Sequence, residues 1–124
     1  MTRAADGFGY WAAFLRDGEF AGIMMLPRIG TTELGYRIVR RFWRRGLATE
    51  GSLALLAYAF DTMGEQRVTA ETMAVNAGSR AVMERVGMSH VRTFFVDWDD
   101  PLPGSEAGEV EYEITRPTWR ARAH

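Results

Sequence analysis

The stretch LGYRIVRRFWRRGLATEGSLALLAYAFDTM, Leu34 to Met63, decides the fold. Leu34 to Val39, rich in β-branched and aromatic residues, predicts a strand, and Glu33 opens it. Arg40 to Gly46 is a basic turn that ends in glycine. From Leu47 the spacing predicts a helix, with apolar residues at Leu53, Leu56, Ala57 and Phe60 on one face. A strand, a glycine turn and a helix together present a helix N-terminus to a phosphate. The first helical turn has free N–H groups and carries about half a positive charge. Glycine at position 46 has no Cβ to keep a ligand away from the backbone.

Working outward toward the N-terminus, Tyr10 to Arg16 and Glu19 to Leu26 are apolar runs separated by Asp17-Gly18, a strong hairpin signal. Pro27 to Thr32 reads as a connection, and Met1 to Gly7 as a loose terminus. The chain is thus expected to begin with an antiparallel meander. Beyond the helix, Gly64 is a C-cap candidate, and Arg67 to Val75 predicts a strand. A helical crossover from the central strand makes that strand its parallel neighbour, with right-handed connection. Asn76 is a good N-cap for a second helix whose apolar face carries Val82, Met83 and Val86, and Gly87 closes it. His90 to Trp98 reads as a strand, Asp99 to Gly108 as a loop. On a last strand Val110, Tyr112 and Ile114 alternate inward, with Glu111 and Glu113 outward. The fold class is α/β: a mixed, mostly antiparallel sheet with a parallel central pair and two helices.

At 124 residues the chain makes one domain, with 47% hydrophobic and 25% charged residues, as in soluble globular proteins. With no cysteine, disulfides and a cysteine nucleophile are excluded. No apolar run reaches the roughly 18 residues a membrane helix needs, and the first residues lack a signal-peptide pattern. A cytoplasmic location and no membrane partner are the expectations. A net charge of −1 argues against a general nucleic-acid binder. All 15 basic residues are arginine, which reads as compositional bias. His90 and His124, the only histidines, have no ligand spacing around them, so no metal is expected.

Two segments carry a family resemblance. Trp43-Arg44-Arg45-Gly46-Leu47-Ala48 resembles the Q/R-x-x-G-x-G/A pyrophosphate loop of the GNAT N-acetyltransferases, with Trp43 departing from the pattern. Asn76-Ala77-Gly78-Ser79-Arg80-Ala81-Val82-Met83-Glu84-Arg85-Val86-Gly87-Met88 resembles the N-x-x-S-x-x-V-x-E-x-x-G-M/F segment of the same superfamily. That version is typical of the ribosomal-protein N-terminal acetyltransferase-like (Rim-type) branch. The likeness runs from about Tyr10 to Trp119, and the family's usual first strand and first helices have no counterpart in front.

The resemblance implies transfer of an acetyl group from acetyl-CoA, as co-substrate, directly to a primary amine. The acceptor is a protein N-terminus or a small-molecule amine. Such a reaction requires a held donor, a neutral amine and a stabilised thiolate, and no metal. The backbone around Arg45 to Thr49 (Arg45, Gly46, Leu47, Ala48, Thr49) would receive the pyrophosphate. One or two of Arg40, Arg41, Arg44 and Arg45 would add charge-assisted contacts. A solvated basic turn is the plain alternative. Ile38, Val39 and Arg40 would lie along the pantetheine arm, where the first two also read as core strand residues. By resemblance Asn76 contacts the pantetheine, and Ser79 sits near the sulfur as donor to the thiolate, with Tyr112 next in line. Asn76 equally reads as a simple N-cap, and Ser79 as a small first-turn residue. Glu33 and Glu71 are the general-base candidates, each open to a purely structural role, and ordered water is the alternative base. The acidic loop with Asp97, Asp99, Asp100, Glu106 and Glu109 would attract a cationic amine, or is merely solvated. The competing class is a catalytically inactive, truncated domain that binds CoA or a partner chain. An RNA-binding module, suggested by the arginine cluster alone, is the third. A bare sheet edge in front implies a homodimer.

Overall fold

The structure is a computed structural model, and it describes residues 9–97 and 99–122. The expectation for Met1 to Gly7 lies outside the described residues. Strand β1 (Gly9–Phe14) pairs antiparallel with β2 (Phe20–Leu26), which pairs antiparallel with β5 (Gly35–Ile38). The Asp17-Gly18 turn forms as its residues dictate. Gly18 takes a φ of 89°, its N–H reaches the Leu15 carbonyl at 2.9 Å, and the Asp17 carboxylate accepts from the Glu19 N–H at 2.9 Å. The 27–32 connection contains a small hairpin, β3 (Arg28–Ile29) and β4 (Thr31–Thr32). Gly22 lies where β2 and β5 come closest, and a Cβ there would sit 2.1 Å from the Arg37 carbonyl oxygen.

After a single 3-10 turn at Arg40–Phe42, helix α1 (Leu47–Ala57) runs into a π turn over Tyr58–Thr62. That turn ends at Gly64, whose φ is 72°. Strand β6 (Arg67–Met73) follows, then helix α2 (Ala77–Arg85), β7 (Ser89–Phe94), and β8 (Glu109–Thr115), which lies between β6 and β7. Strand β7 stops four residues short of the expected Trp98. A helix not read in the sequence, α3 (Arg116–Ala121), ends the described chain. Its Trp119 stacks on Phe60 with ring centroids 5.8 Å apart. Four of the six residues of α3 are arginine, proline or threonine, which hide the helical period.

The sheet consists of two halves, β1-β2-β5 and β6-β8-β7. The expected parallel central pair exists as one bridge, Glu33 with Thr69, where the Leu34 N–H donates to the Thr69 carbonyl at 2.7 Å. Beyond it β5 and β6 diverge. One core spans both halves. Leu26 and Leu34 enter it from the first, Val68, Val110, Tyr112 and Ile114 from the second, Leu56 and Phe60 from α1 and its π turn, and Met83 and Val86 from α2. Helix α1 packs on β2 and β5 of the first half and against α2, which itself packs on β6 of the second.

The outer face of β8 departs from expectation. Glu111 is not a solvated outward residue: it is 8% exposed, because Arg67 and Arg92 cover it with ion pairs of 3.1 and 2.7 Å. Arg67 also pairs with Glu113. Glu71 stands directly opposite Glu111 in the strand register, so this face gathers carboxylates that need the arginines to offset them.

Candidate functional site

The divergence of β5 from β6 opens a cleft of about 1070 Å³. Strand β5 forms one wall, the end of β6 and the start of α2 the other, and the N-terminus of α1 closes one end. Most of the residues singled out from the sequence meet here. Ile38, Arg44, Gly46, Leu47, Ala48, Thr49, Asn76 and Ser79 line the cleft, as do Glu33 and Glu71. Val39, Arg40 and Arg45 do not. The Val39 N–H is spent on the Ala21 carbonyl at 2.8 Å. The guanidinium groups of Arg40 and Arg45 pack over the rings of Trp43 and Phe42, at 5.7 and 5.4 Å. Arg41 pairs with Glu19 at 2.7 Å.

At the α1 end, Arg44 and Gly46 both adopt left-handed backbone, with φ of 64° and 78°. For arginine this conformation is strained. No side chain caps α1, and its first internal bond runs from the Glu50 N–H to the Gly46 carbonyl at 2.9 Å. The amides of Leu47, Ala48 and Thr49 precede that bond, so they are the unsatisfied donors of the helix end. A Cβ built on Gly46 would meet nothing within 4 Å, which leaves its surroundings open to a ligand. An anion of pyrophosphate size fits this donor set and charge.

Trp43, the residue that departs from the family pattern, donates its indole N–H to the Ile38 carbonyl at 2.7 Å. One backbone acceptor on the expected path of a pantetheine arm is therefore already engaged. At the α2 end, Asn76 does act as N-cap, its Oδ1 accepting from the Ser79 N–H at 3.0 Å. The Ser79 hydroxyl lies 2.9 Å from the hydroxyl of Tyr36. Sequence reasoning missed Tyr36. Its signal was the i, i+2, i+4 alternation of Leu34, Tyr36 and Ile38, which puts all three on one face of β5. Burial pushes the Tyr36 phenol above its usual range, and the bond to Ser79 partly offsets this.

Tyr112 is not placed to assist a thiolate. It is 1% exposed, donates to Glu84 at 2.9 Å and accepts from Arg80 at 3.1 Å. The acidic loop also lies apart: none of Asp97, Asp99, Asp100, Glu106 and Glu109 lines the cleft. The carboxylates that do line it are Glu33 and Glu71. Glu33 is exposed by area, yet the surrounding chain removes part of its water. That burial, followed by the charges of Glu71 and Glu111, raises its pKa above the ordinary carboxylate range. Among the described residues no ion pair reaches Glu71.

Comparison with known proteins agrees with this geometry. Residues 1–89 match the family model described as an acetyltransferase (GNAT) domain. The chain is 44% identical to an Aspergillus fumigatus protein named FsC-acetyl coenzyme A-N(2)-transacetylase, over 94% of this chain and 54% of that protein. It is 34% identical to the putative ribosomal N-acetyltransferase YdaF of Bacillus subtilis, over 67% of this chain and 48% of that one. The chain thus spans about half the length of the curated relatives it matches. In fold it resembles the spermidine N-acetyltransferase SpeG of Vibrio cholerae, with a TM-score of 0.82 at 13% identity, over 97% of this chain and 72% of that one. With an uncapped glycine-led helix, a splayed strand pair and a matching family model over most of its length, the chain belongs to the acetyltransferase (GNAT) domain family.

Proposed function

We propose that this domain transfers an acetyl group from acetyl-CoA directly to a primary amine. The observation that carries this reading is that one cleft contains the uncapped N-terminus of α1, the Ser79 hydroxyl and the carboxylates Glu33 and Glu71. The amides of Leu47 to Thr49 hold the pyrophosphate, and Arg44 adds charge beside it. The Asn76 side-chain N–H₂ faces the pantetheine, because its oxygen is committed to the cap. Glu33, whose pKa burial and the neighbouring carboxylates raise, takes the proton of the attacking amine directly or through one water. Ser79 donates to the departing sulfur.

The acceptor is a cationic amine, small or at a protein N-terminus, since Glu33 and Glu71 give its end of the cleft a negative field. The names of the Aspergillus and Bacillus relatives, an N(2)-transacetylase and a putative ribosomal N-acetyltransferase, support a nitrogen acceptor, and the second supports placement in the ribosomal N-acetyltransferase-like branch. The exposed edge of β1, with Tyr10 and Phe14 58% and 60% exposed, is proposed to pair with a second copy. Light scattering that shows a concentration-independent monomer rejects that pairing.

A second reading is a domain that binds CoA without turnover. Calorimetry with acetyl-CoA, followed by thiol release across a panel of amines, separates the two. Binding with amine-dependent thiol release supports the transferase. Binding without release from any amine supports the second reading, and no binding rejects both.

A further inference from the structure

Among the described residues, the Tyr36–Ser79 contact is the one hydrogen bond between side chains on opposite walls of the cleft. Tyr36 stands on β5, fixed by pairing with Met24 of β2, and Ser79 stands on α2, fixed by the Asn76 cap. Their hydroxyls are 2.9 Å apart and both side chains are half-buried. The strands beneath are joined by the single Glu33–Thr69 bridge, so this bond spans the gap exactly where the chain offers no ladder.

Either hydroxyl could donate, and the two directions differ in what they leave for a ligand. A serine hydroxyl has one proton and two lone pairs, and a phenol is the stronger acid. If Tyr36 donates, the Ser79 proton is left free to point into the cleft. If Ser79 donates, it has nothing to offer a sulfur. Resting on the donor-binding reading above, we propose that Tyr36 is a positioning residue that donates to Ser79 Oγ and so aims the Ser79 proton at the sulfur of the bound thioester. As the carbon–sulfur bond breaks, its electron pair stays on sulfur. Ser79 gives its proton to that sulfur, and Tyr36 gives its own to Ser79. The proton that the attacking amine sheds to Glu33 is released to water, and water restores the phenol, so the exchange closes without a further reactant.

The test uses the full chain with tyrosine labelled by carbon-13 at the ring carbon bearing the hydroxyl, and Tyr36→Phe to assign its resonance. Coenzyme A and desulfo-coenzyme A, which lacks only the sulfur, are the probes. The Tyr36 resonance is expected to shift with coenzyme A and much less with the desulfo form, and Ser79→Ala is expected to erase the difference. An equal response to both probes overturns the proposal while leaving donor binding intact; failure of coenzyme A to bind rejects the donor reading and this proposal with it. With an active acceptor, Tyr36→Phe should lower kcat about tenfold or more while the Kd for acetyl-CoA stays within twofold. The Tyr36→Phe/Ser79→Ala double variant should be no slower than the slower single variant, since both act through one proton path. Full turnover in Tyr36→Phe, or losses that multiply in the double variant, overturns it.

Discussion

Helices α1 and α2 both begin at the cleft, and they begin in opposite ways. At α2 the asparagine at position 76 satisfies the Ser79 N–H at 3.0 Å, so a side chain of the protein caps the helix end. At α1 the N-cap is Gly46 in left-handed backbone, with no side-chain bond, and the donors of the first turn are left over. A glycine N-cap loses only a few tenths of a kcal/mol, on the order of 0.3, relative to an asparagine one. The fold tolerates that loss at the end where an anion would supply the missing acceptors, and avoids it at the end that holds the Ser79 hydroxyl in place. Stability and ligand binding are thus assigned to different helix ends of the same cleft.

The comparison breaks most readily at α1. Gly46→Val forces a β-branched residue into left-handed backbone and puts methyl groups where the ligand would lie, although the folded chain itself has room there. Acetyl-CoA affinity should fall about a hundredfold, the worth of one or two charge-assisted hydrogen bonds, while circular dichroism stays close to that of the parent. Unchanged affinity in a folded variant removes the phosphate role from α1. At α2 the corresponding test is Ser79→Ala. Turnover should drop ten- to a hundredfold with little change in donor Kd, as for a donor to charge that develops only in the transition state. A parallel fall in donor affinity would show that Ser79 binds rather than acts.

The contrast extends from helix ends to the two poles of the cleft, amides at one and carboxylates at the other. Because Glu33 titrates above the ordinary carboxylate range, kcat/KM should rise with pH in a limb that lies above that range. Glu33→Gln should abolish the limb and lower the rate about tenfold or more. The same shift has a stability signature. Between the ordinary value and the raised one, the folded state holds the proton and the unfolded state has lost it. Stability should therefore fall as pH climbs through that window, and the fall should flatten in Glu33→Gln, as read by thermal denaturation across pH.

Smaller effects sharpen the picture. Asn76→Ala should cost about 1 kcal/mol of stability by chemical denaturation and also weaken donor binding. If only stability falls, Asn76 is a cap and nothing more. Arg44→Ala should weaken acetyl-CoA binding by less than about 1 kcal/mol, and the loss should shrink with added salt. Arg45→Ala, whose guanidinium is turned onto Phe42, should weaken it less than Arg44→Ala does.

Much of the fold could be read from local signals. Asp17-Gly18 requires a tight turn, Gly46 and Gly64 bracket the long helix and its π turn, and Asn76 starts the next helix, because each of these depends on backbone conformation within a few residues. The apolar alternation of Val110, Tyr112 and Ile114 likewise fixed which face of β8 is buried. The residues of the candidate site were legible for the same reason, since helix ends and turns are local. What the sequence by itself left undecided depends on partners far along the chain. Which arginine near Gly46 faces the cleft was settled by the rings of Phe42 and Trp43, which turn the other guanidinium groups aside. The burial of Glu111 required Arg67 and Arg92 from two neighbouring strands. The fate of the Tyr112 hydroxyl was settled by Arg80 and Glu84 on α2. The meeting of Tyr36 with Ser79, 43 residues apart, exists only because β5 and β6 separate beyond their single bridge and α2 starts across the gap. Sequence period determines which face a side chain occupies; only packing between distant elements determines what it touches there.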